Sequence, residues 1–375
     1  MLIFIGFTFF ILVLVYCILI SAYYISWKKL QPFINSKNNK SQLFTSVIIP
    51  VRNEELNTSE LLNDLQMQNC LPSNFEIIIV NDHSEDRTLA IAKSFMSRMN
   101  NLTIIDLPDN ICGKKRAISF AINIAKGELI ITLDADCRLS KNWLSTICEF
   151  YNKYKPRLII GPLLYFEEKN WFEKIQSLEI LSLVASGAGA AAMGRPIMCN
   201  GANLAFARET YLQCKSNLKV EIVSGDDIFL MLEIKKRWPG SIRFIKSIEA
   251  TCYTKAEPSI EKFFMQRKRW VSKSKYYNDR DILFISAVVF LTNLAICISF
   301  FEAFFKPQTI LVFFILLFLK SIPDFLLMNS FSSYFSKRKL LKFFLLTQLI
   351  YPFYLVFMAV YGNLGKFEWK KRIYK

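Results

Sequence analysis

The stretch from Met1 to Trp27 contains no Lys, Arg, Asp or Glu, and this constrains the fold before anything else does. It exceeds the roughly 20 residues that a helix needs to cross the hydrocarbon core of a bilayer, so it reads as a membrane anchor. A signal peptide would carry a basic region before a shorter apolar run and a small-residue cleavage site after it, and neither is evident. Lys28, Lys29, Lys37 and Lys40 follow at once. The positive-inside rule then places the start of the chain outside and the middle in the cytosol. Three further apolar runs, about Ile282 to Phe305, Thr309 to Met328 and Phe343 to Tyr361, are each long enough to span. Three crossings would leave the end of the chain outside, yet Lys366, Lys370, Lys371 and Arg372 argue for inside. One run that is re-entrant or interfacial would resolve the conflict. The second run holds Lys320, Pro323 and Asp324, with the two charges spaced to pair on one helix face.

A length of 375 residues accommodates one large domain beside these segments, and the net charge is +16. Much of that charge sits near the apolar runs, in Arg267, Lys268, Arg269, Lys273, Lys275 and Arg280 and again in Lys337, Arg338 and Lys339. Anionic head groups are natural partners there. No basic helix or stacking platform with a matching motif points to nucleic acid. The nine Cys are scattered, without a C-x-x-C pair, as expected of reduced thiols in a cytosolic domain.

Between the apolar ends, short apolar runs alternate with helix-like stretches. Candidate strands are Ser46 to Pro50, Glu76 to Val80, Thr103 to Leu107, Leu129 to Leu133 and Leu158 to Gly161. Candidate helices are Leu56 to Gln68, Asp86 to Met99 (capped by Ser84 or Asp86), Lys114 to Ala125 and Lys141 to Tyr154. This alternation predicts an α/β domain with a mostly parallel, doubly covered sheet. Such sheets bind ligands at the carboxyl ends of their strands. There the sequence places Arg52-Asn53-Glu54, Asn81-Asp82-His83-Ser84 and Asp134-Ala135-Asp136. The Ala, Gly and Ser-rich segment from Ser182 to Gly194 reads either as a tightly packed helix or as a mobile segment.

Two carboxylates on a turn at a strand end suit a hard divalent ion, Mg2+ or Mn2+, bridging a diphosphate. Alone, Asp134 and Asp136 could equally solvate a turn. In order along the chain stand VIIPVRNE (Val47 to Glu54), IVNDHS (Ile79 to Ser84), GKKRA (Gly113 to Ala117), TLDAD (Thr132 to Asp136), NGANLA (Asn200 to Ala205), GDD (Gly225 to Asp227) and QRKRW (Gln266 to Trp270). With these seven pieces the chain resembles the family 2 glycosyltransferases of the GT-A fold over about Thr45 to Ser274. The expected layout is an anchor at 1–27, a linker at 28–44, a Rossmann-like GT-A domain at 45–275, a membrane region at 282–361 and a basic tail at 362–375.

The resemblance implies a nucleotide-sugar donor, expected to be a UDP-sugar, with Asp82 on the uracil or ribose, Lys114 and Asp134 nearby and Asp136 on the metal. It implies Asp227 as catalytic base, with Asp226 standing where the family usually has Glu. The Q-x-x-R-W element implies acceptor or diphosphate contacts for Gln266, Arg269 and Trp270, while some of Arg267 and Lys268 face lipid. Glu54 is assigned to the donor side, although with Asn53 it could simply cap its own loop. His83 is expected to line the nucleotide pocket. The activity implied is inverting transfer of a sugar to a membrane lipid or lipid-linked acceptor in cell-envelope glycan or glycolipid synthesis, by a multi-pass plasma-membrane protein. Processive polysaccharide synthesis and a catalytically silent membrane binding protein are the alternatives.

Overall fold

In the computed structural model of the chain, residues 2–36, 43–218, 225–362, 364, 367–369 and 372–374 are described. The sequence readings at Lys37, Lys40, Lys366, Lys370 and Lys371 lie outside them. Packing divides the chain into two units, one of Gln31–Glu167 with Met198–Lys255 and one of Met1–Leu30, Glu168–Ile197 and Ala256–Lys375.

The first unit is built on a seven-stranded sheet. Its strands are β1 (Thr45–Val51), β2 (Phe75–Asn81), β3 (Leu102–Asp106), β4 (Leu129–Leu133), β6 (Leu158–Ile160), β8 (Asn203–Ala207) and β9 (Ile242–Phe244), in the order β3-β2-β1-β4-β8-β6-β9. A smaller sheet joins β5 (Arg138–Leu139), β10 (Cys252–Thr254) and β7 (Leu163–Tyr165) in the order β5-β10-β7. Strands β3, β2, β1 and β4 run parallel, and β8 enters antiparallel between β4 and β6. Pro50 is tolerated in a central strand because β4 pairs β1 only as far as Ile48, so the missing N–H falls where β2 alone flanks β1.

Among the described residues, six helices alternate with these strands along the chain: α2 (Thr58–Gln66), α3 (Thr88–Ser94), α4 (Lys114–Ile124), α5 (Trp143–Tyr154) and, after β8, α7 (Arg208–Cys214) and α8 (Asp226–Arg237). Side chains alternate across a strand, so Val47, Ile49, Ile77, Ile79, Ile131 and Leu133 join Leu61, Leu65, Trp143 and Ile147 in one buried core. The apolar positions of α4, Ala117, Ile118, Ala121 and Ile122, are also buried, and α4 packs on β1 and β2. Helix α3 lacks a side-chain cap at its first residue. Instead the Asp86 carboxylate accepts from the Thr88 amide at 3.0 Å.

The second unit is helical: α1 (Leu2–Lys29), α6 (Trp171–Ala192), α9 (Ile260–Ser272), α10 (Arg280–Glu302), α11 (Ile310–Tyr334) and α12 (Phe344–Tyr361), followed by the hairpin of β11 (Phe367–Trp369) and β12 (Arg372–Tyr374). Among the described residues, five helical segments are long and apolar enough to cross a membrane: 6–29, 171–192, 280–302, 307–334 and 338–361. The Ala and Gly-rich segment is thus the second half of a helix, α6. A Cβ on Gly189 would come within 2.6 Å of Tyr23 Cβ, so this glycine lets α6 and α1 approach closely.

A buried cluster of polar side chains in this unit is mutually paired. Lys320 Nζ donates to Asp324 Oδ2 at 2.7 Å and to Gln348 Oε1 at 3.0 Å, and Tyr16 donates to Asp324 Oδ1 at 2.8 Å. Pro323 has no N–H to offer Leu319 O, and the Cys17 thiol lies 3.3 Å from that carbonyl instead.

Candidate functional site

The loops after β1 and β2 lock together. Asn53 and His83 both take positive φ, 52° and 56°, a region rarely populated outside glycine but enriched in Asn and His. The Asn53 amide donates to Ser84 Oγ at 3.1 Å, and Asn53 Oδ1 accepts from the Glu85 amide at 2.9 Å. Arg52 Nη1 donates to the carbonyls of Asp82 and His83 at 2.8 and 3.1 Å. His83 Nε2 lies 3.0 Å from Ile111 O; a carbonyl only accepts, so this nitrogen carries the proton. Glu54 shapes its own loop: its carboxylate accepts from Asn57 Nδ2 at 2.8 Å, and its carbonyl accepts the Thr58 hydroxyl at 2.8 Å.

Asp82 is buried, and its Oδ2 accepts from the Gly113 amide at 3.0 Å. Gly113 sits at φ 98°, where a side chain would be strained, and this turn starts α4 with Lys114 as its first residue. Lys114 Nζ is paired with Asp134 Oδ1. Burial works against its charge, but Asp134, Asp226 and Asp227 outweigh that and hold the ammonium above the usual lysine range. Lys115, next to it, is pushed down by burial.

Asp134 and Asp136 leave β4 on a tight turn in which the Cys137 amide reaches Asp134 O at 3.2 Å. Ala135 and Cys137 point inward and are buried. The turn is braced twice. Arg138 binds both Asp64 oxygens, at 2.6 and 3.0 Å, and the Thr254 hydroxyl on β10 donates to Asp136 Oδ2 at 2.8 Å. Neither partner could be found from the sequence, since Asp64 is an ordinary helix residue and Thr254 is far away along the chain.

Antiparallel β8 returns the chain to the same edge, pairing Asn203 with Leu133. Thr132 Oγ1 donates to Gly201 O at 2.8 Å, and the Gly201 amide donates to Asp227 Oδ2 at 3.0 Å. A Cβ on Gly201 would stand 3.5 Å from Asp227 Cβ and 3.6 Å from Lys114 Nζ. Gly225, at φ 90°, opens α8 so that Asp226 and Asp227 occupy its first turn, where carboxylates are favoured. Lys114 and Asp227 therefore flank the Gly201 backbone, with Asp134 paired to Lys114 and Asp226 close enough to act on it.

The QRKRW element belongs to the helical unit, on α9. Gln266 Nε2 donates to Glu257 Oε1 at 2.8 Å. The expectation that some of Arg267 and Lys268 faces lipid is corrected: they are only 3% and 7% exposed. Arg267 is held by Glu179 Oε2 at 2.7 Å, and Lys268 lies over the Tyr361 ring at 4.6 Å.

Among the described residues, no group of three or more His, Cys, Asp or Glu side chains is arranged to hold a metal ion alone. That suits an ion arriving with a diphosphate, because Mg2+-type ions keep phosphate and water ligands and take one or two protein carboxylates. Asp136, already oriented by Thr254, fits such a ligand.

Residues 46–214 match the family model described as Glycosyl transferase family 2. The chain is 30% identical over 115 residues to a poly(ribitol-phosphate) beta-N-acetylglucosaminyltransferase of Staphylococcus aureus, across 31% of this chain and 20% of that protein. It is 29% identical over 151 residues to an undecaprenyl-phosphate 4-deoxy-4-formamido-L-arabinose transferase of Edwardsiella ictaluri, across 40% of this chain and 46% of that protein. It thus spans less than half the length of these curated relatives. Among solved structures, a mannosyltransferase of Pyrobaculum calidifontis in complex with GDP-Man and Mn2+ is similar with a TM-score of 0.57 at 15% identity, covering 93% of this chain and 99% of that one. This likeness identifies the mostly parallel α/β fold as GT-A. Through residues 46–214, the chain is thus similar to glycosyl transferase family 2.

Proposed function

We propose that the chain transfers a sugar, with inversion, from a nucleotide-sugar donor to a membrane lipid or lipid-linked acceptor at the cytosolic face of the plasma membrane. A UDP-sugar is the donor favoured by the sequence motifs. The observation that carries the reading is the meeting of Asp227 and the Lys114–Asp134 pair beside Gly201 at the carboxyl edge of the sheet.

Asp82 and the Arg52 to Glu54 loop hold the nucleoside, and Lys114 with Asp134 borders the sugar and its phosphates. Asp136 would hold Mg2+ or Mn2+, an ion that neutralises the leaving diphosphate when bound. Asp227 accepts the proton of an attacking hydroxyl as the new carbon–oxygen bond forms on the face opposite the departing diphosphate. An acceptor phosphate attacks already ionised, and Asp227 then has no proton to take. Asp226, Gln266, Arg269 and Trp270 are assigned to the acceptor and diphosphate, the last three by their motif; a guanidinium can bind phosphate oxygens bidentately.

The test is transfer by detergent-purified full-length chain from labelled UDP-glucose, UDP-N-acetylglucosamine and GDP-mannose to undecaprenyl phosphate or to extracted membrane lipids, with products read by mass spectrometry. A glycosylated lipid made only with a divalent ion is expected. Absence of both turnover and nucleotide binding would instead mark a silent binding protein.

A further inference from the structure

Helix α6 carries two polar side chains that the sequence motifs leave unassigned, and both grip the segment carrying Gln266 to Trp270. Gln176 is 1% exposed. Its amide closes on the backbone of Glu257, donating to the carbonyl at 2.9 Å and accepting from the N–H at 3.0 Å. One turn on, Glu179 binds Arg267 through Oε2 to Nη2 at 2.7 Å and through both oxygens to Nε at 3.2 and 3.3 Å. It also accepts the Tyr354 hydroxyl of α12 at 2.9 Å. The Arg267 guanidinium lies over Phe263 at 4.5 Å and over Trp270 at 4.2 Å, and its Nη1 donates to Gln266.

Residues three apart share a helix face, so Gln176 and Glu179 hold the start and the middle of the α9 segment from one side. A planar guanidinium fixed by a carboxylate and stacked on rings has little rotational freedom. Arg267 therefore transmits its orientation to the two neighbours it touches, Gln266 and Trp270. Burying the pair is costly unless geometry and hydrogen bonding are good, and here the carboxylate also has Tyr354.

We propose that Glu179 and Arg267, with Gln176, are positioning residues that set the orientation of Gln266 and Trp270 for acceptor handling. This rests on the proposed role of those two residues in transfer. The test compares the full chain in detergent with Glu179→Gln, Tyr354→Phe and the exchanged pair Glu179→Arg/Arg267→Glu, using undecaprenyl phosphate as acceptor probe. Glu179→Gln should lower kcat/KM for the acceptor by about 100-fold, the loss that follows a misplacement of about an ångström. The donor KM should stay unchanged, and the exchanged pair should recover part of the loss. Tyr354→Phe should show the same split at smaller size, and it carries the test if Glu179→Gln does not fold. A folded variant with wild-type kinetics, or an equal loss for donor and acceptor, overturns the proposal. Hydrogen exchange of residues 260–272 gives a readout that needs no turnover. Faster exchange in Glu179→Gln is expected, and unchanged exchange overturns the proposal. A wild type that exchanges as described but transfers nothing would refute the transferase reading instead.

Discussion

Two lysine–aspartate pairs in this chain, one local to a helix and one closed over twenty residues, serve opposite ends. Lys320 and Asp324 are 1% and 11% exposed and are enclosed by Tyr16 and Gln348, so each charge already has its partners inside the protein. Lys114 and Asp134 are 22% and 35% exposed and sit with Asp136, Asp226 and Asp227 at a sheet edge. There the carboxylates outnumber Lys114 and Lys115. A balanced, enclosed pair stabilises a fold, whereas an open cluster with excess negative charge is suited to a cationic ligand. The first belongs to the helical unit and the second to the proposed donor site.

The contrast can be broken most sharply at Asp227. Asp227→Asn should lower kcat by about 100-fold to 10,000-fold with a hydroxyl acceptor, the range for loss of a general base, while UDP binding measured by calorimetry stays near wild type. With a phosphate acceptor the loss should be much smaller, which tells the two acceptor chemistries apart. Lys320→Met should act on stability instead, costing about 3–5 kcal/mol because it strands a buried carboxylate. The detergent melting temperature would record that loss, and replacing Asp324 by Leu as well should recover much of it. Equal effects of Lys320→Met on folding and on nucleotide affinity would erase the distinction between the two pairs.

Smaller effects sharpen the site. Thr254→Val removes the hydroxyl that orients Asp136. It should weaken Mn2+ activation by about 10-fold to 100-fold, as lost supporting contacts to a metal ligand do. Lys114 supplies a pH signature. Burial opposes its charge, but Asp134, Asp226 and Asp227 raise its folded pKa. Its stabilising contribution is therefore fully present below the unfolded value of about 10.4 and fades only as pH rises through the folded one. The melting-temperature gap between wild type and Lys114→Met should stay constant from neutral pH to about 10 and narrow above it.

Strands β1 to β4 and β6 and helices α2 to α5 were legible because short, nearly continuous apolar runs such as VIIPV and IIIV are punctuated by Asn, Asp and Gly; β5, β7 to β10, α7 and α8 were not read. Asp134, Asp136 and Asp227 stood out as candidates by their ordered motifs. Their supports did not: Thr254 on Asp136, Arg138 on Asp64 and Gly201 on Asp227 are long-range contacts that no local pattern announces. Helix α6 stayed ambiguous because Ala, Gly and Ser are shared by tight helix packing and loose segments, and only the approach of Gly189 to Tyr23 decides. Arg267 read as a membrane-surface charge because nothing beside it in sequence reveals Glu179.

Excess negative charge at the sheet edge is the proposed seat of a metal-bound nucleotide diphosphate, and calorimetric titration of the full chain with UDP and GDP tests this directly. Binding in Mn2+ that is lost in EDTA and lost again in Asp136→Asn is the predicted result. Nucleotide binding that ignores both the ion and Asp136, or no binding of either nucleotide, would contradict it.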